Sequence, residues 1–223
     1  GRYSGIIWNP NMFSSLVVTA FSIHFLKYEK RTRFDYFILF ILLMSALASG
    51  SRGSLVAIIL VFLIKYGLTF KNMIYGFIAL GISLLILSIN LETSLNRFAE
   101  NNMFNDRILQ FEYAYLSIQE KLFTGYGLDK YAYIDKSLVP RYLKDKIIGA
   151  HNGYLAILAQ YGIIFGSVIL FLIFRKSLQA YSYFKNKKSF ESVYLFIILY
   201  VLIASIYESL ITGINEFSTI LFW

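Results

Sequence analysis

Apolar residues in this chain gather into runs of helical length that carry almost no charge. Six such runs extend over Met12 to Leu26, Phe34 to Ala48, Leu55 to Phe70, Met73 to Ile89, Tyr154 to Phe174 and Val193 to Ile211. In hydrocarbon every backbone N–H and C=O must be paired within its own segment, so runs of this kind become helices. With 57% hydrophobic and 15% charged residues among 223, the chain is too apolar for a soluble domain. The expected fold is all-α: a polytopic transmembrane helix bundle of about six to seven spans. It divides into four transmembrane helices over 12–89, an extracytoplasmic loop over 90–150, and two more helices plus a tail over 151–223. The tail from Ile214 to Trp223 is too short to assign and is a candidate start for a seventh helix. The chain starts at Gly1, in polar sequence, and reads as the C-terminal part of a longer membrane protein. It has no cysteine, which excludes a disulfide framework and a thiolate metal site.

The net charge of +8 would suit nucleic acid if it were spread over the surface, but it is not. Loops on one side hold eleven basic residues against three acidic ones, and the other side holds ten of each sign. The basic side is cytoplasmic by the positive-inside rule. The excess is therefore explained by topology, and no nucleic-acid partner is implied. The long loop, the turn around Arg52 and His151 all fall on the outer face. Within the loop, Asn105-Asp106 reads as a helix start, and Ile108, Phe111, Tyr115, Ile118 and Leu122 recur at spacings of three and four. That is an amphipathic helix, on the membrane surface or over the bundle, closed by Gly125-Tyr126-Gly127.

The titratable residues on the outer face are the candidates for chemistry. His151 stands where the apolar run from Tyr154 begins, followed by Asn152. Its imidazole can take and return a proton near neutrality, or simply serve as an interfacial cap. Arg52 lies among small residues at the mouth of the third helix, either as an anion clamp beside helix N–H groups or as a snorkelling side chain. Arg107 opens the loop helix next to Asp106, as a local ion pair or as a substrate contact. The first, third and fifth helices all start on the outer face, near Asn11, Arg52 and His151, and their N-termini sum to positive potential. Glu208, near the outer end of the sixth helix, is placed to orient His151, to pair with an arginine, or to sit solvated at the interface. His24 lies at the cytoplasmic end, so a two-histidine metal site is not expected. Ionisable residues gather at helix ends rather than deep within spans. This disfavours a transporter or flippase of lipid-linked sugars and leaves a non-catalytic scaffold as the bland alternative.

Taken together, these residues resemble the O-antigen ligase family of O-antigen and capsule polymerases, lipopolysaccharide ligases and protein oligosaccharyltransferases. The resemblance rests on four pieces in order, covering about Gly5 to Gly166. They are Gly5-Ile6-Ile7-Trp8-Asn9-Pro10-Asn11, then Ser51-Arg52-Gly53, then Arg107 with Leu116 to Gly127, then Ala150-His151-Asn152-Gly153-Tyr154-Leu155 with Tyr161-Gly162. The family normally has more helices than this chain supplies. The resemblance implies metal-independent, cofactor-free, inverting glycosyl transfer at the outer side of a bacterial plasma membrane. The donor would be an oligosaccharide on polyprenyl diphosphate, and the acceptor a glycan or lipid core. By the same carry-over, Arg52 and Arg107 bind the diphosphate, His151 is the base, and Asn152, Asn11 and Glu208 support them. Membrane lipids are expected partners, and flippase and chain-length regulator proteins are candidates. Repeat-unit polymerisation is the favoured reaction, with ligation to a lipid core or protein acceptor as the alternative.

Overall fold

The computed structural model describes residues 7, 9–28, 30–67, 70–72, 74, 75, 78, 81, 102–127, 151–185, 191–212 and 217–223. Most of the expected fourth helix, Met73 to Ile89, lies outside them. So does the long loop apart from 102–127. All regular structure among the described residues is helical. The chain divides into two compact units, one of 1–100, 181–200 and 215–223, the other of 101–180 and 201–214.

In the first unit, α1 (Pro10–Lys27), α2 (Arg33–Ala48) and α3 (Arg52–Tyr66) pack on one another. Val18, Phe21, Leu26, Leu39, Ala46, Ala57 and Val61 are buried between them. Helix α1 also buries Ser14, Ser15, Thr19 and Ser22. Their hydroxyls cost little there because they bond back to the helix, Thr19 Oγ1 to the Ser15 carbonyl and Ser22 Oγ to the Thr19 carbonyl, both at 2.7 Å. Ser15 Oγ also meets Ser218 Oγ at 3.0 Å on α7, a short terminal helix (Phe217–Phe222) in the expected tail. A capping box between Thr32 and Asp35 starts α2. His24, expected at the cytoplasmic end, ties α1 to α2 through Asp35 at 3.2 Å. Outward, α2 exposes Phe34, Phe37 and Phe40. A row of bare aromatics suits lipid far better than water.

The second unit contains α4 (Asn102–Glu120) and most of α5 (Gly153–Phe184). The loop helix starts three residues earlier than expected and ends, as expected, before Gly125 and Gly127, both at positive φ. The run from Tyr154 to Phe174, expected as one rod, is folded in two. Gly162 has φ 71° and ψ 172°. A straight helix would hold Tyr154 and Phe174 about 30 Å apart, yet their rings stack with centroids 5.5 Å apart. A Cβ on Gly166 would meet Leu158 Cα at 3.1 Å, so the two arms also touch backbone to side chain. α5 is thus a hairpin, with a short arm over 153–161 and a long arm over 163–184.

Length and hydropathy make α5 the one described helix suited to crossing a membrane. Its long arm extends about 33 Å, enough for a hydrocarbon core of about 30 Å. That arm exposes Ile164, Phe165, Val168, Phe171 and Leu172, again an apolar face without a protein partner among the described residues. The sixth apolar run is also interrupted. α6 (Glu191–Ala204) stops seven residues short of Ile211, and turns over 205–208 lead into a 3-10 helix, Leu210–Thr212.

Candidate active site

The short arm of α5 is held at both ends by backbone groups from elsewhere in the second unit. At its C-terminal end, the carbonyls of Ala159 and Gln160 would be orphans at the Gly162 turn. They accept instead from the Tyr126 N–H at 3.0 Å and the Gly127 N–H at 2.8 Å. In return the Leu122 carbonyl accepts from the Ile163 N–H, at the start of the long arm, at 2.7 Å. This approach demands glycine: a Cβ on Gly125 would strike the Gln160 carbonyl and the Gly162 nitrogen, and one on Gly162 would strike the Phe123 carbonyl. Farther back, Ala114 of α4 packs against Ala156 and Leu155. The two contacts mean that α4 and the short arm run in the same sense. Arg107 lies seven residues before Ala114, and His151 five residues before Ala156. The backbone of the loop helix therefore carries Arg107 towards the same end of the assembly as His151.

At that end the chain is anchored to the break after α6. The Gly153 N–H donates to the carbonyls of Ser205 at 2.8 Å and Glu208 at 3.2 Å. Asn152 Nδ2 donates to the Ile206 carbonyl at 2.8 Å. The Tyr154 hydroxyl donates to the Leu202 carbonyl at 2.6 Å. Gly153 packs tightly here: a Cβ would sit 3.2 Å from Ser205 Cβ. His151 itself adopts φ 41°, in the left-handed region that a histidine rarely enters.

The imidazole Nδ1 of His151 lies 3.3 Å from Glu208 Oε2. A carboxylate on Nδ1 fixes the tautomer that has its proton on Nδ1 and leaves Nε2 as a proton acceptor. His151 remains 32% exposed and Glu208 22%, so the pair can be reached from outside. Among the roles considered for Glu208, contact with His151 is observed.

Two of the three helix starts at which positive potential was expected carry side-chain caps. Asn9 Oδ1 accepts from the Asn11 N–H at 2.9 Å, so α1 is capped and Asn11 sits in its first turn. Asn152 Oδ1 accepts from the N–H groups of both Tyr154 and Leu155, at 2.9 and 3.0 Å, so the short arm is capped as well. Asparagine is among the best N-caps, and it quenches the donors that an anion would use. Of these three, α3 starts without a side-chain cap, at Ser51 and Arg52, after a turn in which Gly50 takes φ 59°. Arg52 and Asn11 belong to the first unit, and His151, Asn152, Glu208 and Arg107 to the second.

A family model described as O-antigen ligase matches residues 37–171, more than half of the chain. The chain belongs to the O-antigen ligase family. The matched span contains the Arg52 turn, Arg107, the α4–α5 interlock and the His151-Asn152 start of α5. It ends before the break at 205–208, so Glu208 and the carbonyls gripping the short arm lie beyond it. None of the curated proteins is similar enough to the chain to match it. As a member of that family, the chain is a membrane protein of a group concerned with glycan transfer from lipid-linked donors. Hydropathy alone did not single out Ser205, Ile206 and the glycine contacts of Gly162, because these act through backbone groups. The one sequence signal for them was Gly125-Tyr126-Gly127, read as a helix stop.

Proposed function

We propose that this chain transfers a glycan from a polyprenyl diphosphate to an acceptor hydroxyl at the outer side of the bacterial plasma membrane. The observation carrying this reading is the His151–Glu208 pair. With Nδ1 engaged by the carboxylate, Nε2 takes the proton of the acceptor hydroxyl. The oxygen attacks the anomeric carbon from the face opposite the diphosphate, inverting the centre as the bond to the diphosphate breaks and the diphosphate leaves with the bonding electrons. Base catalysis of this kind contributes about 10² to 10⁴ in rate. The rest falls to cations that offset charge on the departing phosphate. Arg107, carried by α4 towards the His151 end, and Arg52, at the uncapped start of α3, are assigned to the diphosphate. No metal or cofactor is called for, because a diphosphate is already a good leaving group. Repeat-unit polymerisation is the preferred form of the reaction.

His151→Ala should abolish polymer while lipid-linked repeat units accumulate and the protein still inserts. Normal polymer from that variant excludes the assignment. Arg52→Lys should lower donor affinity, since an ammonium cannot reproduce the planar fork on a phosphate. In a deletion strain, single repeats on the surface indicate a polymerase, whereas full-length chains left on the carrier lipid indicate a ligase.

A further inference from the structure

The break after α6 differs in character from a phosphate site. Every N–H at the start of the short arm is already used: Gly153 on the carbonyls of Ser205 and Glu208, Tyr154 and Leu155 on the Asn152 side chain, and Ala156 on the Asn152 carbonyl at 3.0 Å. The Glu208 carboxylate stands at the same place, 3.3 Å from His151 Nδ1. Spent donors and a negative charge repel a diphosphate rather than hold it. Two further features suit a neutral, hydroxyl-bearing ligand. Ile206, between the residues that grip His151 and Gly153, is 53% exposed and offers an apolar ledge to the face of a sugar ring. Next to it, the Tyr207 hydroxyl is buried with no hydrogen-bond partner among the described residues, within electrostatic reach of Glu208. Such an orphan is costly, and a group that both donates and accepts can pair with a sugar hydroxyl.

We infer that the turn over 205–208 is the acceptor subsite, with Ile206 beneath the acceptor sugar and the Tyr207 hydroxyl contacting one of its hydroxyls. The inference rests on the glycosyl-transfer reading above and adds the side of the reaction to which this surface belongs. It requires Tyr207 to meet the sugar once the turn has yielded to it.

The test uses the full protein in lipid nanodiscs, with lipid-linked repeat unit as donor and the repeat-unit oligosaccharide freed of its diphosphate as acceptor. Tyr207→Phe and Ile206→Ala should each raise the acceptor KM about three- to tenfold, the size expected for one hydrogen bond or a partly buried side chain. The donor KM should stay unchanged. Tyr207→Phe should also leave the Tm unchanged or raise it, because it removes a hydroxyl that has no partner among the described residues. A fall in Tm with Tyr207→Phe would mean that the hydroxyl has a protein partner, and would overturn the inference. So would unchanged acceptor KM in both variants, or a rise in the donor KM alone. His151→Ala, assayed alongside, separates the two levels: if it stays active the transfer reading itself fails, whereas an inactive His151→Ala beside a wild-type-like Tyr207→Phe sinks only the subsite.

Discussion

Replacing Gly162 by alanine tests whether α5 is a hairpin locked by the loop helix. At φ 71° and ψ 172° the backbone lies where essentially only glycine is at ease, and a non-glycine residue there costs about 1–3 kcal/mol. The new Cβ would also run into the Phe123 carbonyl, which is backbone and cannot rotate aside. Relief requires the 122–127 turn to lift away, taking with it the bonds at Tyr126, Gly127 and Ile163. At about 0.5–1.5 kcal/mol net for each bond, those three contribute roughly 1.5–4.5 kcal/mol. The total loss, about 3–7 kcal/mol, is comparable with the whole stability of a typical domain, about 5–15 kcal/mol. Gly67 supplies the control. It has nearly the same backbone, φ 80° and ψ 160°, but nothing within 4 Å of a Cβ. Gly67→Ala should therefore show the conformational cost alone. In thermal unfolding of the purified protein, Gly162→Ala should fall well below Gly67→Ala, by about 2–4 °C for each kcal/mol of difference. Tryptic cleavage at the exposed Lys121 should accelerate only in the first variant. Equal melting temperatures and equal cleavage rates for the two variants would refute the interlock.

Further outcomes bear on the same geometry. The chain has no cysteine, so a Leu158→Cys, Gly166→Cys pair is a clean reporter. It should form a disulfide under mild oxidation, because the arms touch there, whereas a straight rod would hold the two about 12 Å apart and leave both thiols free. Asn152→Ala removes the cap of the short arm and its bond to the Ile206 carbonyl. It should cost about 1–2 kcal/mol in unfolding experiments and reduce turnover more than donor affinity, and wild-type stability would show that the cap is dispensable. Glu208→Gln keeps the size of the side chain but can present its amide N–H to Nδ1, favouring the wrong tautomer. It should lower kcat at least about tenfold with donor KM unchanged, and an unaltered kcat would remove Glu208 from the orientation of His151.

Much of the first unit was legible in the sequence. Runs of apolar residues gave α1, α2 and α3 within a few positions, because helix formation in apolar sequence is a local matter of hydropathy and capping. Asn9-Pro10 marks the start of α1, whereas α3 ends at Tyr66, before Gly67 and short of the expected Phe70. The loop helix and its glycine stop were legible for the same reason. His151 and Arg52 stand out in the sequence by type and by their place at the ends of apolar runs, and Arg107 by its place in the loop helix.

Two turns of the chain were decided only by tertiary structure. From Tyr154 to Phe174 the sequence stays apolar through Gly162, and hydropathy carries no sign of direction. The choice falls to the pairing of carbonyls 159 and 160 with N–H groups at 126 and 127, over thirty residues away in the chain. Likewise, apolar residues continue to Ile211, yet α6 ends at Ala204, because the carbonyls of Ser205, Ile206 and Glu208 are taken by Asn152 and Gly153. Sequence set which segments are helical and which residues carry charge. Long-range backbone hydrogen bonds, invisible in side-chain type, set where those helices fold back and stop, and so where the imidazole meets its carboxylate.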